Sequence, residues 1–245
     1  DDIFVAKFSG VDGAHLWSKR FGDADYDGGL GIAIDGSGNA LVTGYFVGTV
    51  NFGGTALTSA GGDDIFVAKF SGANGAHLWS KRFGDINQNL GRGIAVDGSG
   101  SVLVTGYFVG TVNFGGTALT SAGGDDIFVA KFSGVDGAHL WSKRFGNISP
   151  DYGISIDLDE SGNVLVTGYF NGTVNFGGGP LTSAGFDDIF VAKFSGVDGA
   201  HLWSKRFGDA DYDGGLGIAI DGSGNALVTG YFVGTVNFGG TALTS

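Results

Sequence analysis

Three features of the 245-residue sequence predict an all-β fold made of repeated antiparallel sheets. The string DDIFVAKFSG begins at Asp1, Asp63, Asp125 and Asp187, so the chain contains four repeats with a period of 62 residues. Each repeat holds four short segments rich in β-branched and aromatic residues, separated by Gly, Asp, Asn or Ser. No segment shows a sustained apolar period of a helix with caps, so we expect almost no helix.

The elements of the first repeat are predicted in order along the chain. The four strands are Ile3–Phe8, His15–Phe21, Gly31–Asp35 and Ala40–Phe46. The segments SGVDG and GSGN between them supply the Gly and Asn residues that tight hairpin turns require. A 16-residue connection follows from Val47 to Gly62, and it is long enough for a small additional hairpin around Gly53 and Gly54.

Four antiparallel strands in each repeat predict a β-propeller in which one repeat supplies one blade. We expect the third strand to be innermost, because its Gly and Ala residues suit the crowded axis. The second strand, with Trp and Phe, fills the widening space at the outside. The chain starts with two outer strands and ends with two inner ones. A closed ring is therefore predicted to pair the N- and C-terminal strands, although two chains could instead share an eight-bladed ring.

The period accounts for the whole chain, so a single domain of residues 1–245 is expected, with repeats 1–62, 63–124, 125–186 and 187–245. Composition excludes several classes. The 50 Gly residues do not fall at every third position, which excludes collagen, and the absence of Cys excludes a disulfide-stapled mini-protein. No apolar run suits membrane insertion, and a net charge of −12 argues against nucleic-acid binding. A parallel β-helix would need a shorter period within the repeat, and none is found.

The runs DIFVAKFSGVDGAHLWSKRFG and GIAIDGSGNALVTGYF resemble the SBBP-type β-propeller repeats of bacteria. The resemblance covers every repeat. It implies the propeller fold and an extracellular or cell-surface location on a bacterium. It brings no catalytic residues, because the family shares none that could be carried over.

No catalytic motif is present in the sequence. The four His residues occupy one equivalent position in each repeat, on the predicted outermost strand: His15, His77, His139 and His201. Residues repeated around a ring are spread apart, whereas an active site needs different groups that converge on one point. We therefore expect a protein that is not an enzyme.

Two acidic loops have the pattern D-x-D-x-D-G, which suggests calcium. Their aspartates are Asp23, Asp25, Asp27, Asp209, Asp211 and Asp213. Calcium prefers six to eight hard oxygen ligands, and alternate Asp side chains beside a Gly turn can supply several of them. The other two repeats lose part of the pattern, and no Glu follows where a helical calcium loop has one. The alternative is an ordinary solvated acidic turn.

The long connections and the acidic loops are predicted on the same face of the ring. Their Asn, Thr, Ser and aromatic residues suit contacts with a carbohydrate or an extended peptide. The candidate ligand-face residues are Asn51, Phe52, Asn113, Phe114, Asn175, Phe176, Asn237 and Phe238. The alternative is that the additional hairpin only thickens each blade.

The function expected from these features is non-enzymatic binding of glycan or protein ligands. Near-identical blades would give several weak sites that combine into avidity. The alternative is a structural or self-assembling repeat protein, such as a filament segment or an engineered symmetric scaffold. The identity of residues 1–59 with residues 187–245 keeps that alternative open.

Overall fold

The computed structural model describes all 245 residues and contains 24 β-strands. The strands are β1 Ile3–Phe8, β2 His15–Phe21, β3 Gly28–Ile34, β4 Ala40–Phe46, β5 Thr49–Val50, β6 Leu57–Thr58, β7 Asp64–Phe70, β8 His77–Phe83, β9 Asn89–Val96, β10 Val102–Phe108, β11 Thr111–Val112, β12 Leu119–Thr120, β13 Asp126–Phe132, β14 His139–Phe145, β15 Asp151–Leu158, β16 Val164–Phe170, β17 Thr173–Asn175, β18 Pro180–Thr182, β19 Asp188–Phe194, β20 His201–Phe207, β21 Gly214–Ile220, β22 Ala226–Tyr231, β23 Thr235–Val236 and β24 Leu243–Thr244. It has no helix that is long and apolar enough to cross a membrane.

The all-β prediction is confirmed in detail for the first repeat. β1, β2 and β4 have the predicted bounds. β3 begins three residues before the predicted Gly31, because Gly28 and Gly29 continue the pairing with β4 opposite Tyr45 and Gly44. The predicted small hairpin is present as β5 and β6.

Three sheets have four antiparallel strands, in the orders β3-β4-β7-β8, β9-β10-β13-β14 and β15-β16-β19-β20. We call these sheets the first, second and third blades. β3, β9, β15 and β21 contact one another in sequence, so they lie at the axis as predicted. The strands with the sequence HLWSKRF lie at the outer edges, also as predicted.

The prediction that one repeat supplies one blade is wrong. Each blade takes its two inner strands from one repeat and its two outer strands from the next. The reason is that the chain, after β4, returns along the free edge of that strand, where β7 pairs from Ala40 opposite Phe70 to Phe46 opposite Asp64. The chain therefore forms three complete blades and a two-stranded half-blade at each end.

The predicted pairing of the N- and C-terminal strands is not present. β1–β2 and β21–β22 form separate two-stranded sheets, so closure of the ring within one chain is not confirmed. Each half-blade packs instead against its neighbouring blade. Trp17 and Phe21 join the core of the first blade, and Ile218 packs against Leu165 and Val191 of the third. These contacts orient each half-blade against its neighbouring blade.

The apolar core lies between the blades, in one cluster per junction. At the junction of the first and second blades, the rings of Phe83 and Phe132 stack with centroids 5.0 Å apart. Phe114, from the connection before β12, packs against both Phe83 and Phe128. The connection after each inner pair of strands therefore folds back and covers the core.

A polar link also joins adjacent blades. Lys69 donates a hydrogen bond from Nζ to the carbonyl oxygen of Gly134 in the next blade at 2.7 Å and forms a 2.8 Å ion pair with Asp35 of its own blade. Trp79 donates from Nε1 to the same Gly134 oxygen at 3.2 Å. Lys131, Asp97 and Trp141 repeat the arrangement at the next junction. The repeated Lys and Trp positions therefore hold neighbouring blades in register.

Candidate binding site at the axis

The innermost strand of each complete blade, and of the C-terminal half-blade, carries a β-bulge beside the axis. In β9 the register shifts between Gly91 and Gly93, which leaves Arg92 without a partner on β10. The same shift in β3, β15 and β21 leaves Leu30, Ile154 and Leu216 unpaired. A bulge changes the direction of a side chain and is common beside binding sites. We call these four side chains the axial bulge residues.

Small residues beside the bulges allow the innermost strands to approach each other closely. A Cβ atom at Gly31 would lie 2.9 Å from the carbonyl oxygen of Arg92 in the neighbouring strand. A Cβ atom at Gly93 would lie 3.1 Å from the carbonyl oxygen of Ile154. Glycine at these positions therefore brings consecutive axial bulge residues around one common space.

That space is a cavity of about 450 Å³ lined by all four axial bulge residues. Ile32, Ile94 and Ile156 also line it, and polar atoms share the wall with these apolar side chains. Arg92 is the one charged residue that lines it. None of the seven ion pairs in the structure includes Arg92. The cavity thus holds a guanidinium group without an acidic partner.

Three tyrosines form an aromatic cluster near Arg92. The ring of Tyr152 lies 4.7 Å from that of Tyr107 and 4.9 Å from that of Tyr169, measured between centroids. Burial raises the pKa of all three hydroxyls, although the nearby Arg92 charge partly offsets the rise at Tyr107. The Asp125 carboxylate raises the pKa of Tyr152 further. The hydroxyls are therefore protonated at neutral pH, and that of Tyr152 donates to Asp125.

Among the four long strands of a repeat, the one that lines this cavity differs most from repeat to repeat. Arg92 occupies the position of Leu30, and Tyr152 occupies that of Gly28. By contrast, the strands of sequence IFVAKF and HLWSKRF are identical in all four repeats. The near-identical repeats therefore enclose an asymmetric site. Sequence reasoning missed it, although one signal was present: Arg92 is the one basic residue outside the repeated positions.

Two side chains of β15 differ from those at the same positions of the other repeats and hold β21 beside the cavity. Ser155 Oγ accepts a hydrogen bond from the backbone N–H of Ile218 at 3.2 Å. Asp157 Oδ2 accepts one from the backbone N–H of Ile220 at 2.8 Å. Both bonds join β15 to β21, so these side chains position the C-terminal half-blade against the third blade.

The predicted calcium loops are organised by their own hydrogen bonds. Asp23 accepts bonds from the backbone N–H groups of Asp25 and Thr49, at 2.9 and 3.0 Å, and Asp27 accepts one from Val47 at 3.2 Å. These bonds tie the acidic loop to the long connection. The second loop repeats them with Asp209, Asp211 and Asp213. The structure contains no group of three acidic or His side chains arranged to hold a metal, and calcium binding stays a prediction.

The predicted ligand face needs a correction. Phe52, Phe114 and Phe176 are at most 2% exposed and lie in the core, so they cannot contact a ligand. The long connection after each inner pair of strands folds back and places these Phe rings in the core. The fourth residue of this set, Phe238, lies on the C-terminal half-blade and is 48% exposed. The Asn residues lie at the surface, where each accepts a 2.7 Å hydrogen bond within its own turn, and their role in binding stays a prediction: Asn51, Asn113, Asn175 and Asn237.

Asp151 at the start of β15 is a buried carboxylate with a raised pKa. Burial raises the pKa of Asp151 to about 7, and the carboxylates of Asp126 and Asp187 add to the rise. The backbone N–H groups of Asn147 and Asn171 donate to Asp151 and oppose the rise without cancelling it. The folded chain therefore holds a proton at this position that the unfolded chain releases near pH 4.

We expect Asp151→Asn to stabilise the protein at alkaline pH. A raised folded-state pKa means that stability is lost as pH rises from the ordinary value of 3.8 to about 7, and stays level above it. The amide cannot ionise, and Asn89 already occupies the equivalent position. The free energy of unfolding should rise by about 1–3 kcal/mol at pH 8 and change little at pH 4. Urea titrations at both pH values test this, and an equal change at both would contradict it.

Together, the blades and the axial cavity define a propeller-like repeat protein of the kind used as a binding or structural module. A comparison with family models agrees with this class. The family model SBBP, described as a beta-propeller repeat, matches residues 16–45, 78–107, 140–174 and 202–231, and the chain belongs to this family.

One relative among curated proteins is an uncharacterized WD repeat-containing protein of Acanthamoeba polyphaga mimivirus. It is 24% identical to this chain over 190 residues, and the match covers 65% of the chain and 14% of the relative. The chain therefore spans a small part of that protein's length. Both comparisons support a repeat-based binding or structural module.

Proposed function

We propose that this chain is a non-enzymatic module that binds partner proteins at the axial cavity. The observation that supports the proposal best is Arg92, a guanidinium without an acidic partner on a bulge that is surrounded by Leu and Ile side chains. A partly buried cation favours an anionic partner, and a guanidinium can bind a carboxylate through two parallel hydrogen bonds. The preferred ligand is therefore a peptide segment with an acidic side chain next to apolar ones.

The cavity suits a peptide better than a glycan. Six of its ten lining residues are Leu or Ile, and their side chains suit the apolar residues of a peptide. The glycan alternative therefore ranks second.

The titratable groups near the cavity favour binding over catalysis. Raised pKa values make Tyr107, Tyr152 and Tyr169 poor bases at neutral pH. Ser155 already accepts a backbone hydrogen bond and has no His beside it to act as a base. The extracellular or cell-surface location on a bacterium, which the family resemblance implies, is part of the same proposal.

Selection from a displayed library of random peptides tests the proposal. We expect enriched peptides to carry Asp or Glu next to apolar residues, and binding to fall at least tenfold in Arg92→Leu. Leu occupies the equivalent positions 30 and 216, so this variant should fold normally. Arg20→Leu is the control, because Arg20 is an exposed residue paired with Asp2 on the outermost strand. Selection of no peptides, or equal binding by Arg92→Leu, would contradict the proposal.

A further inference from the structure

Each complete blade buries one carboxylate oxygen that has no hydrogen-bond partner. The residues are Asp64, Asp126 and Asp188, which begin β7, β13 and β19. One oxygen of each side chain, Oδ2, forms an ion pair with an arginine of the adjacent outermost strand. The other oxygen, Oδ1, is buried and accepts no hydrogen bond. Buried polar groups are nearly always bonded, so an unpartnered one marks a candidate ligand position.

A second buried carboxylate lies beside the free oxygen of Asp188. Asp213 immediately precedes β21 of the C-terminal half-blade, and both aspartates are fully buried. A Cβ atom at Gly208 would lie 2.6 Å from Asp188 Oδ1 and 2.7 Å from Asp213 Oδ2. Glycine at this position therefore lets two carboxylate oxygens converge from two neighbouring sheets. We call this place, between the third blade and the C-terminal half-blade, the third junction.

The charges at the third junction do not cancel. Arg206 pairs with Asp188, and no ion pair in the structure includes Asp213. Asp213 accepts only backbone hydrogen bonds, from the N–H groups of Asp209 at 3.0 Å and Val233 at 3.2 Å. Two buried carboxylates thus share one guanidinium, which leaves a negative charge uncompensated. Buried charges in proteins are paired or coordinate metal ions.

The two junctions between complete blades carry an amide where the third junction carries a carboxylate. Between the first and second blades, Asn89 stands at the position of Asp213. Between the second and third blades, Asn147 stands at the position of Asp209, and its Nδ2 donates to Asp151 Oδ2 at 3.1 Å. Both positions hold Asp at the third junction. This junction therefore has more negative charge than the other two and no amide donor at either position.

We propose that Asp188 Oδ1 and Asp213 Oδ2 bind a calcium ion at the third junction. Calcium takes carboxylate oxygens together with water, and it tolerates irregular geometry better than magnesium does. Two carboxylate ligands are few for calcium, so we expect a modest affinity, with a Kd of about 0.1–1 mM. The ion offsets the uncompensated charge and links the third blade to the C-terminal half-blade.

This site differs from the calcium loop that the sequence predicts. That prediction places Asp209, Asp211 and Asp213 around one ion. In the structure Asp211 is exposed, and its backbone N–H donates to Asp209 Oδ1 at 3.1 Å. The second ligand is instead Asp188, which belongs to a different sheet and is absent from the loop pattern. The site uses no residue that lines the axial cavity, so it is independent of the proposed peptide binding.

The first repeat contains the same residues, and the test must remove them. Asp2 Oδ1 and Asp27 Oδ2 converge on Gly22 as Asp188 and Asp213 converge on Gly208. Asp27→Asn removes one member of that pair and leaves the third junction intact. The substitution is compatible with folding, because the second repeat has Asn at the same position.

Isothermal titration with calcium chloride, in excess KCl, tests the proposal. We expect Asp27→Asn to bind one calcium ion per chain. Adding Asp213→Asn should weaken binding at least tenfold, whereas adding Asp211→Asn should leave the Kd unchanged. Asn89 and Asn87 occupy these two positions in the second repeat, so the two variants are matched. The proposal is overturned if Asp213→Asn binds as tightly as its parent, or if Asp211→Asn weakens binding as much.

Stability provides a second readout that does not depend on the heat of binding. Calcium at ten times its Kd raises the folding equilibrium constant about elevenfold when the ion binds only the folded chain. Urea unfolding with and without calcium should show this increase for Asp27→Asn and no increase after Asp213→Asn is added. An equal increase in both variants, or none in either up to about 10 mM calcium, would rule out an ion at the third junction.

Discussion

Phe128→Ala is expected to lower the free energy of unfolding by about 3–5 kcal/mol. Phe128 is fully buried on β13, and its ring packs against that of Phe114 with centroids 4.8 Å apart. Removal of the ring leaves a cavity between two blades, which the repeated packing at both sides prevents from collapsing. Urea unfolding followed by tryptophan fluorescence measures the change.

Phe4→Ala is the matched control for that substitution. Phe4 occupies the same position of its repeat, but it lies on the open half-blade. We expect Phe4→Ala to change stability by about 0.5 kcal/mol or less, because Phe4 is 77% exposed. Equal losses at the two positions would contradict the exposure of Phe4 on the N-terminal half-blade.

Arg144→Leu should produce the second large effect. Arg144 forms an ion pair with Asp126, whose side chain is fully buried. Loss of one partner of a buried pair costs about 3–5 kcal/mol, and we expect about 3 kcal/mol because Arg144 is about one-third exposed. Burial already raises the pKa of Asp126, and loss of the guanidinium raises it further. The cost should therefore shrink at acid pH, where Asp126 is neutral.

Arg20→Leu is the control for the ion pair. Arg20 and Asp2 form the equivalent pair, but their side chains are 67% and 33% exposed. An exposed pair contributes about 0–1 kcal/mol, so this variant should lose little stability. Chemical unfolding at pH 7 and pH 4 distinguishes the two arginines. Similar losses for both, without a pH dependence in Arg144→Leu, would contradict a buried carboxylate at Asp126.

The strands and their order within a blade were predictable because local chemistry determines them. Two examples are rich in the β-branched and aromatic residues that favour strands: Ile3–Phe8 and His15–Phe21. Gly and Asn residues mark the turns between such segments. The Gly and Ala residues of the third strand indicated its place at the axis. Each of these signals lies within a few residues along the chain, so no knowledge of the packing was needed.

The predicted ligand face was partly wrong because it depended on contacts between distant segments. The segment around Phe52 is rich in Gly, Asn and Thr, which resembles an exposed loop. In the structure the connection folds back, and Phe52 packs against Phe21 and Phe66. That outcome depends on the space left beside the outer strands of two blades, which sequence periodicity does not describe.

The axial site was missed for a related reason. Gly91-Arg92-Gly93 reads as an ordinary part of a strand, and the sequence does not reveal that the register shifts at Arg92. The bulge arises where neighbouring innermost strands approach, so it depends on three blades at once. The number of blades in a closed ring also depends on contacts between distant segments, because the core packing at each junction sets the angle between blades. The sequence therefore allowed either four or eight blades.

The most direct test of axial binding is the affinity of one selected acidic peptide for the wild-type chain, for Arg92→Leu and for Arg20→Leu, measured side by side by isothermal titration calorimetry. Binding should weaken at least tenfold in Arg92→Leu and stay unchanged in Arg20→Leu, because Arg92 lines the axial cavity and Arg20 is an exposed residue paired with Asp2. Equal affinities for the wild-type chain and Arg92→Leu would contradict a binding site at the axis.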